Sequence, residues 1–323
     1  MSDFDLMNLA VNAVFPTNKV IMDDAGMPSI MVYVPKFKMS DVITGATDST
    51  HPAFIVDGVE KDGIWYSKYP NITQNNLAYS LPGEDPKASI TADAARTCCE
   101  SKGPGWHLMS AMEWGAIALW CKKHGYLPYG NNNYGKDSRE SNYVAIPTTK
   151  DAEGKTLHTA TGTGPVTWSH NKQLDGIYDL SGNVAKWVDG MRLVKGELQI
   201  LENNNTANHA NSKAVDSAQW KAIDGTTGNL ITPNGQGTTP NSLKLDYISN
   251  KWKWITDAIT VQADENKSCA FVNITAESTV CAKAKELLYA LALLPDDADF
   301  DYEGDIFYAN NGNDERFPFR GAY

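Results

Sequence analysis

The stretch Gly176-Ile177-Tyr178-Asp179-Leu180-Ser181-Gly182-Asn183-Val184-Ala185-Lys186-Trp187-Val188 decides the fold. Gly and Asn both tolerate positive φ, so Gly182-Asn183 is turn chemistry. Asp179, just upstream, carries an acceptor suited to nearby backbone N–H groups. Val184, Trp187 and Val188 then return apolar side chains to a core. One reading is a tight buried turn whose polar groups satisfy one another. The other is a loop that holds a metal or a ligand.

Upstream, Ser110-Ala111-Met112-Glu113 is a capping box. The hydroxyl of Ser110 can accept from the Glu113 amide while the Glu113 carboxylate reaches back to the Ser110 amide. Lys122, Lys123 and His124 suit the negative end of the helix this box starts, and Gly125 suits a left-handed cap. Met112, Ile117, Leu119, Trp120 and Cys121 spread widely around it, which predicts a well-buried helix. An earlier helix is expected to begin at Thr91, with Asp93 in its first turn, and to end at Gly103-Pro104. A third is expected over 276–294, on the stripe Val280, Ala284, Leu287, Leu288, Leu291 and Leu294. Residues 30–38 read as a strand, with shorter strands at 53–56, 64–66, 196–201 and 242–247. The Gly/Asn/Thr-rich stretch 125–170 reads as loop. Short strands mixed with two or three helices, without βαβ alternation, indicate an α+β fold.

Composition narrows the function. The chain has 323 residues, with 28 Lys+Arg against 39 Asp+Glu, a net charge of −11. It lacks the positive footprint that displaces phosphate counterions, so nucleic acid is not an expected partner. The start, Met1-Ser2-Asp3-Phe4-Asp5-Leu6, has neither the basic nor the apolar region of a signal peptide. No apolar run approaches the ~18 residues of a membrane span. The expectation is a protein made in the cytoplasm, without membrane insertion. The five cysteines at 98, 99, 121, 269 and 281 are an odd number, which points to reduced thiols. Cys269 with Cys281 is the one pairing considered. Nine Trp and 14 Tyr serve either a large core or an aromatic binding surface.

Three segments carry a resemblance. Gly105-Trp106-His107-Leu108-Met109-Ser110-Ala111-Met112-Glu113-Trp114 is similar to the R-L-P-T-E-A-E-W segment of the formylglycine-generating-enzyme (sulfatase-modifying-factor) family, with the capping box and Glu-Trp kept. Gly176 to Val188 resembles that family's G-L-x-D-M-x-G-N-V-x-E-W. Phe319-Arg320-Gly321-Ala322-Tyr323 resembles the start of its R-G-G-S-W, and Pro128-Tyr129-Gly130-Asn131 its P-W-G-N. The resemblance covers residues 30–194 and the last few. Within the family, the wording Gly-Trp-His-Leu-Met, Trp-Cys-Lys-Lys and Gly-Asn-Asn-Asn-Tyr-Gly most resembles the variable proteins of diversity-generating retroelements, found in phages and gut bacteria.

The resemblance implies a C-type-lectin-like domain over 30–323, preceded by an N-terminal extension over 1–29. The roughly 130 residues between Trp187 and Arg320 far exceed a median loop of ~4–6, so an insertion is expected over about 195–300. Retroelement variable proteins continue beyond the R-G-G-S-W-like segment, so the C-terminal end is expected to be truncated at Tyr323. The implied function is non-catalytic recognition of a protein or glycan ligand on a cell surface, by a virion-associated protein that forms a homo-oligomer. The structural alternative is an assembly protein of a phage particle. The enzymatic alternative oxidises cysteine and needs thiolates near the end of the fold. No cysteine follows Cys281, and no G-x-S-x-G, H-E-x-x-H or P-loop is present, so no catalytic residue is assigned.

The candidate ligand-binding residues are Trp252, Trp254, Phe307, Tyr308, Asn310, Asn311, Arg320 and Tyr323, with Tyr247 as a further aromatic. The competing reading of Trp252-Lys253-Trp254 is a half-buried strand with both rings on the core face. The only cofactor raised is calcium. Asp299, Asp301, Glu303 and Asp305, with Gly304 and Ile306, resemble the first half of an EF-hand loop that follows a helix. Asn310 stands where the bidentate Glu would be, so the alternative is a solvated acidic turn. In the family the Gly182-Asn183 loop lies near calcium, but Lys186 replaces the Glu that helps order it, which weighs against calcium there.

Overall fold

Ser110 does what its spacing predicts. Its Oγ accepts from the Glu113 amide at 3.0 Å, and Glu113 Oε2 accepts from the Ser110 amide at 2.9 Å. The structure is a computed structural model that describes residues 3–140 and 143–321. With 19% helix and 28% strand it is mixed α+β, with a curled sheet.

The first layer is α1 (Asp3–Val14) and a three-stranded antiparallel sheet of β1 (Asn18–Met22), β2 (Pro28–Pro35) and β3 (Gly63–Ser67), with β2 in the middle. Pro28 and Pro35 sit at the two ends of β2, where a missing N–H does least harm to the ladder. β1 belongs to the stretch expected as an extension, yet it pairs with β2 from Asn18↔Val32 to Met22↔Pro28. Two helices follow. α2 (Ala92–Glu100) is capped by Thr91, whose hydroxyl accepts from the Ala94 amide, and α3 (Ala111–Lys123) is buried along most of its length.

The motif then enters through a parallel two-residue pairing of β4 (Gly130–Asn131) with β5 (Ser181–Gly182). The backbones approach so closely that a Cβ on Gly130 would lie 1.7 Å from the Ser181 carbonyl oxygen. Between them, 125–170 is mostly loop as expected, but it contains an antiparallel hairpin of 147–150 with 156–159.

After β6 (Lys186–Trp187) the chain builds a seven-stranded sheet. It contains β7 (Met191–Val194), β8 (Glu197–Ile200), β9 (Lys221–Ile223), β10 (Leu230–Ile231), β11 (Lys244–Ile248), β12 (Lys251–Ile255) and, beyond the separate strand β13 (Lys267–Ala270), β14 (Thr275–Ala276). The order is β10-β9-β8-β11-β12-β14, with β7 on the other side of β8. Helix α4 (Ala282–Ala290) is shorter than the expected 276–294, because Ala276 is paired with Trp254 and the helix stops at a residue of positive φ, Ala292. β15 (Ile306–Ala309) pairs with β13, and β16 (Phe319–Arg320) returns to pair with β6. One apolar cluster joins Val32 of β2, Ile117 of α3, Leu198 of β8, Trp252 and Trp254 of β12 and Leu288 of α4. The 195–300 segment therefore shares its core with the rest of the chain. Among the described residues, no helix is long and apolar enough to cross a membrane.

Candidate functional site

The fold-deciding stretch is bent through three residues of positive φ: Asp179 at 58°, Gly182 at 66° and Asn183 at 61°. Asn183 is 2% exposed, and its amide makes three hydrogen bonds. Its Oδ1 accepts from the Thr159 amide at 2.8 Å and from Asn131 Nδ2 at 3.3 Å, and its Nδ2 donates to the Thr159 carbonyl at 2.9 Å. Asn131 donates also to the Leu157 carbonyl at 3.0 Å and accepts from the Gly135 amide at 2.7 Å. This half of the motif is the self-satisfied turn of the first reading.

Asp179 is different. It is 1% exposed, and its Oδ2 accepts from the Gly162 amide at 2.9 Å, but its Oδ1 has no protein partner. Burial raises its carboxyl to about 6, with the Gly162 amide and Lys186 opposing. Lys186 donates one N–H to the Gly182 carbonyl at 2.6 Å. Burial pulls its ammonium down to about 7, with Asp179 opposing. Lys186 is enclosed by protein yet keeps some accessible surface, because it lines a cavity.

That cavity has a volume of about 210 Å³. A single water needs roughly 10–15 Å³ on this measure, so the space admits a small molecule. β2 and β3 contribute from one side, α2 from another, and the 105–109 turn and the motif complete the wall. Trp65, Tyr69, Trp106, Trp114, Tyr178 and Trp187 face it. Trp187 is oriented by its indole N–H, which donates to the Ile90 carbonyl at 2.8 Å. Two further lining residues, Tyr66 and Asn71, each leave a buried oxygen without a protein partner: the Tyr66 hydroxyl and Asn71 Oδ1. Lys102, 2% exposed, sits 3.7 Å from the centre of the Trp106 ring and donates to Ser29 Oγ at 2.7 Å. Burial pulls its ammonium to about 8, with Asp23 opposing. Glu113 also lines the cavity, beside the 105–109 turn. Burial works against its charge, but His107 at 2.8 Å, the Ser110 amide and Asn204 hold it below the usual carboxylate range.

The residues singled out from sequence lie elsewhere. Trp252 and Trp254 are wholly buried, with indole N–H groups spent on the Lys267 and Leu293 carbonyls. They are core residues and present no face to a ligand, because the Trp-Lys-Trp alternation turns both rings inward. Asn310 and Asn311 are likewise buried. Asn310 bonds Asp264 and the Gly312 amide, and Asn311 bonds the Leu245 and Val261 carbonyls and the Ala263 amide. Arg320 donates to the Leu291 and Ala292 carbonyls at the end of α4. Tyr247 packs on Trp252 and bonds the Ser268 carbonyl. Phe307 is half-buried against the core and Tyr308 is 65% exposed, so β15 offers a single open ring. Tyr323 lies outside the described residues.

The acidic turn is held by local contacts. Asp301 accepts from the Glu303 amide at 2.8 Å, Glu303 pairs with Arg139, and the Asp299 amide donates to Asp297. α4 ends well before Asp299, so no helix leads directly into the loop. Among the described residues, no group of three or more His, Cys, Asp or Glu side chains is placed to hold a metal. All five cysteines are free, with Cys98, Cys99 and Cys121 buried. Cys98 and Cys99 touch the cavity, and burial raises the Cys99 thiol to about 12.

The sequence alone does not indicate the cavity, although Trp106, Trp114, Asp179, Lys186 and Trp187 all belong to the 105–114 and 176–188 motifs. The available signal was the Trp and Lys content of those motifs, which no periodicity groups together. No family model matches the chain, and no curated protein matches it.

Proposed function

We propose that this protein is a non-catalytic ligand-binding protein with a C-type-lectin-like fold of the formylglycine-generating-enzyme type, closest to the variable proteins of diversity-generating retroelements. Its ligand site is the aromatic-walled cavity beside the Gly176–Val188 motif. The observation that carries this reading is the cavity itself. It combines about 210 Å³ of space, a wall of Trp and Tyr rings and buried polar oxygens left without protein partners. Ligand sites are characteristically concave and apolar, with a few convergent polar groups.

A cysteine-oxidising enzyme is the second reading, because Cys98 and Cys99 touch the same cavity. Its chemistry needs an accessible thiolate, and burial drives Cys99 the other way. Binding is therefore preferred.

The test is a fragment panel read by ligand-observed NMR, on the wild type and on Ala95→Phe. Ala95 lines the cavity from α2, half-buried, so a phenyl ring there reaches into the space from the rim. Fragments that bind the wild type and are excluded by Ala95→Phe, at unchanged melting temperature, support the reading. A wild type that binds no fragment, or binds the same ones with the cavity filled, overturns it.

A further inference from the structure

We infer that the cavity beside the motif takes a small zwitterion with an apolar body, of the class of an α-amino acid with an apolar or aromatic side chain. This rests on the cavity being a ligand site and names what enters it.

The first ground is an acceptor without a donor. Asp179 is one of the residues that line the cavity; its Oδ1 is buried and has no protein partner, while its other oxygen is spent on the Gly162 amide. A buried carboxylate oxygen left alone costs far more than it does in water, so the position demands a donor. Asn71, another lining residue, has a buried Oδ1 that makes the same demand.

The second ground is a donor without an acceptor. Lys186 has three N–H groups and uses one on the Gly182 carbonyl. The remaining two have no protein acceptor among the described residues. Tyr66 is also a lining residue, and its buried hydroxyl is unpartnered too. Lys102 adds positive charge above the Trp106 ring.

The sign pattern decides between ligand classes. Asp179 and Lys186 carry opposite charges, and among the described residues neither lies within ion-pair distance of an opposite charge. Each is held towards its neutral form by burial, the carboxyl at about 6 and the ammonium at about 7. A neutral polyol would satisfy hydrogen bonds and leave the two charges with only their longer-range attraction for each other. A lone carboxylate or a lone amine would compensate one and add a charge of its own. A zwitterion compensates both: its ammonium donates to Asp179, and its carboxylate accepts from Lys186. The ring walls then receive the apolar body, and their faces also favour the ammonium end.

Isothermal titration calorimetry with four probes tests this: L-phenylalanine, 2-phenylethylamine, 3-phenylpropanoate and indole. The amine lacks only the carboxylate, the propanoate lacks only the ammonium, and indole has neither. Each truncated ligand is expected to bind roughly 10- to 100-fold more weakly than L-phenylalanine, the effect of one charge-assisted hydrogen bond. Asp179→Asn, which tolerates the same positive φ, should erase the preference for L-phenylalanine over 3-phenylpropanoate. Lys186→Met should erase the preference over 2-phenylethylamine. Each variant should keep the other preference, which also shows that it is folded. Indole binding with no preference for L-phenylalanine would overturn the zwitterion and leave the cavity as a ligand site. Failure of all four probes, indole included, would overturn both.

Discussion

Replacing Asn183 probes the turn on which the motif stands. Three effects add in Asn183→Ala. The Thr159 amide and carbonyl, bonded at 2.8 and 2.9 Å, lose their partner in a buried setting. Each unsatisfied group costs about 1–3 kcal/mol, so the two together cost about 2–6 kcal/mol. The residue also sits at φ 61°, where both residues carry a strained Cβ but Asn is better tolerated than Ala. Asn183→Gly loses the same bonds and avoids that strain, but its unfolded chain is freer. It should be less damaged than the alanine variant by about 0.5–1 kcal/mol. Asn183→Asp keeps the acceptor for the Thr159 amide and aims a second oxygen at the Thr159 carbonyl. Its deficit should exceed that of alanine at pH 7 and shrink as acid protonates the carboxyl, which can then donate. Urea unfolding followed by tryptophan fluorescence, on wild type and the three variants at pH 7 and pH 5, reads all of this. If the alanine variant loses less than about 1 kcal/mol, or the aspartate variant does not recover in acid, the network is not what holds the turn.

Three further outcomes follow from the same structure. Burial opposes both charges of the His107–Glu113 pair, yet each partner holds the other ionised, raising His107 above 6.5 and lowering Glu113 below 4.5. Glu113 contributes stability above pH 4.5 that is lost as pH falls through its depressed value, and His107 contributes below pH 6.5 and loses it as pH rises through its raised value. The melting-temperature gap between wild type and His107→Gln should therefore be widest between those two pH values, and a gap flat in pH would contradict it. Lys186 is pulled from 10.5 to about 7, so the unfolded chain binds more protons between these values and wild-type stability should rise with pH across that window. Lys186→Met should show a shallower slope in urea titrations at pH 7, 8.5 and 10, since Lys102 and Lys68, both pulled to about 8, keep contributing in the same direction. Gly130→Ala places a Cβ 1.7 Å from the Ser181 carbonyl, so β4 and β5 must part, at a cost of at least about 2 kcal/mol. Gly26→Ala, which meets nothing within 4 Å, should cost only the φ strain of about 1 kcal/mol. Equal losses in the two glycine variants by urea titration would refute the close approach.

What could be read in the sequence is what neighbouring residues decide among themselves. The Ser110–Glu113 box, the Thr91 cap and the Gly182-Asn183 turn are side-chain-to-backbone contacts or backbone conformations set within a few residues, so residue type and spacing suffice. The α+β class follows because apolar periodicity is also local. The limits of α4 were not legible, since Thr275 and Ala276 have no local reason to leave a helix; a distant strand, β12, claims them. For the same reason Trp252 and Trp254 were open to two readings, and the packing of β12 into the shared core chose one. The cavity was beyond the sequence altogether. Its rings come from β3, the 105–109 turn, the start of α3 and the motif, and only folding brings those segments to one wall. Asp179 and Lys186, seven positions apart in the sequence, read as a solvated pair until that wall removes water. Burial, which sets their charge and leaves an oxygen unpartnered, belongs to the three-dimensional arrangement and to no stretch of the chain.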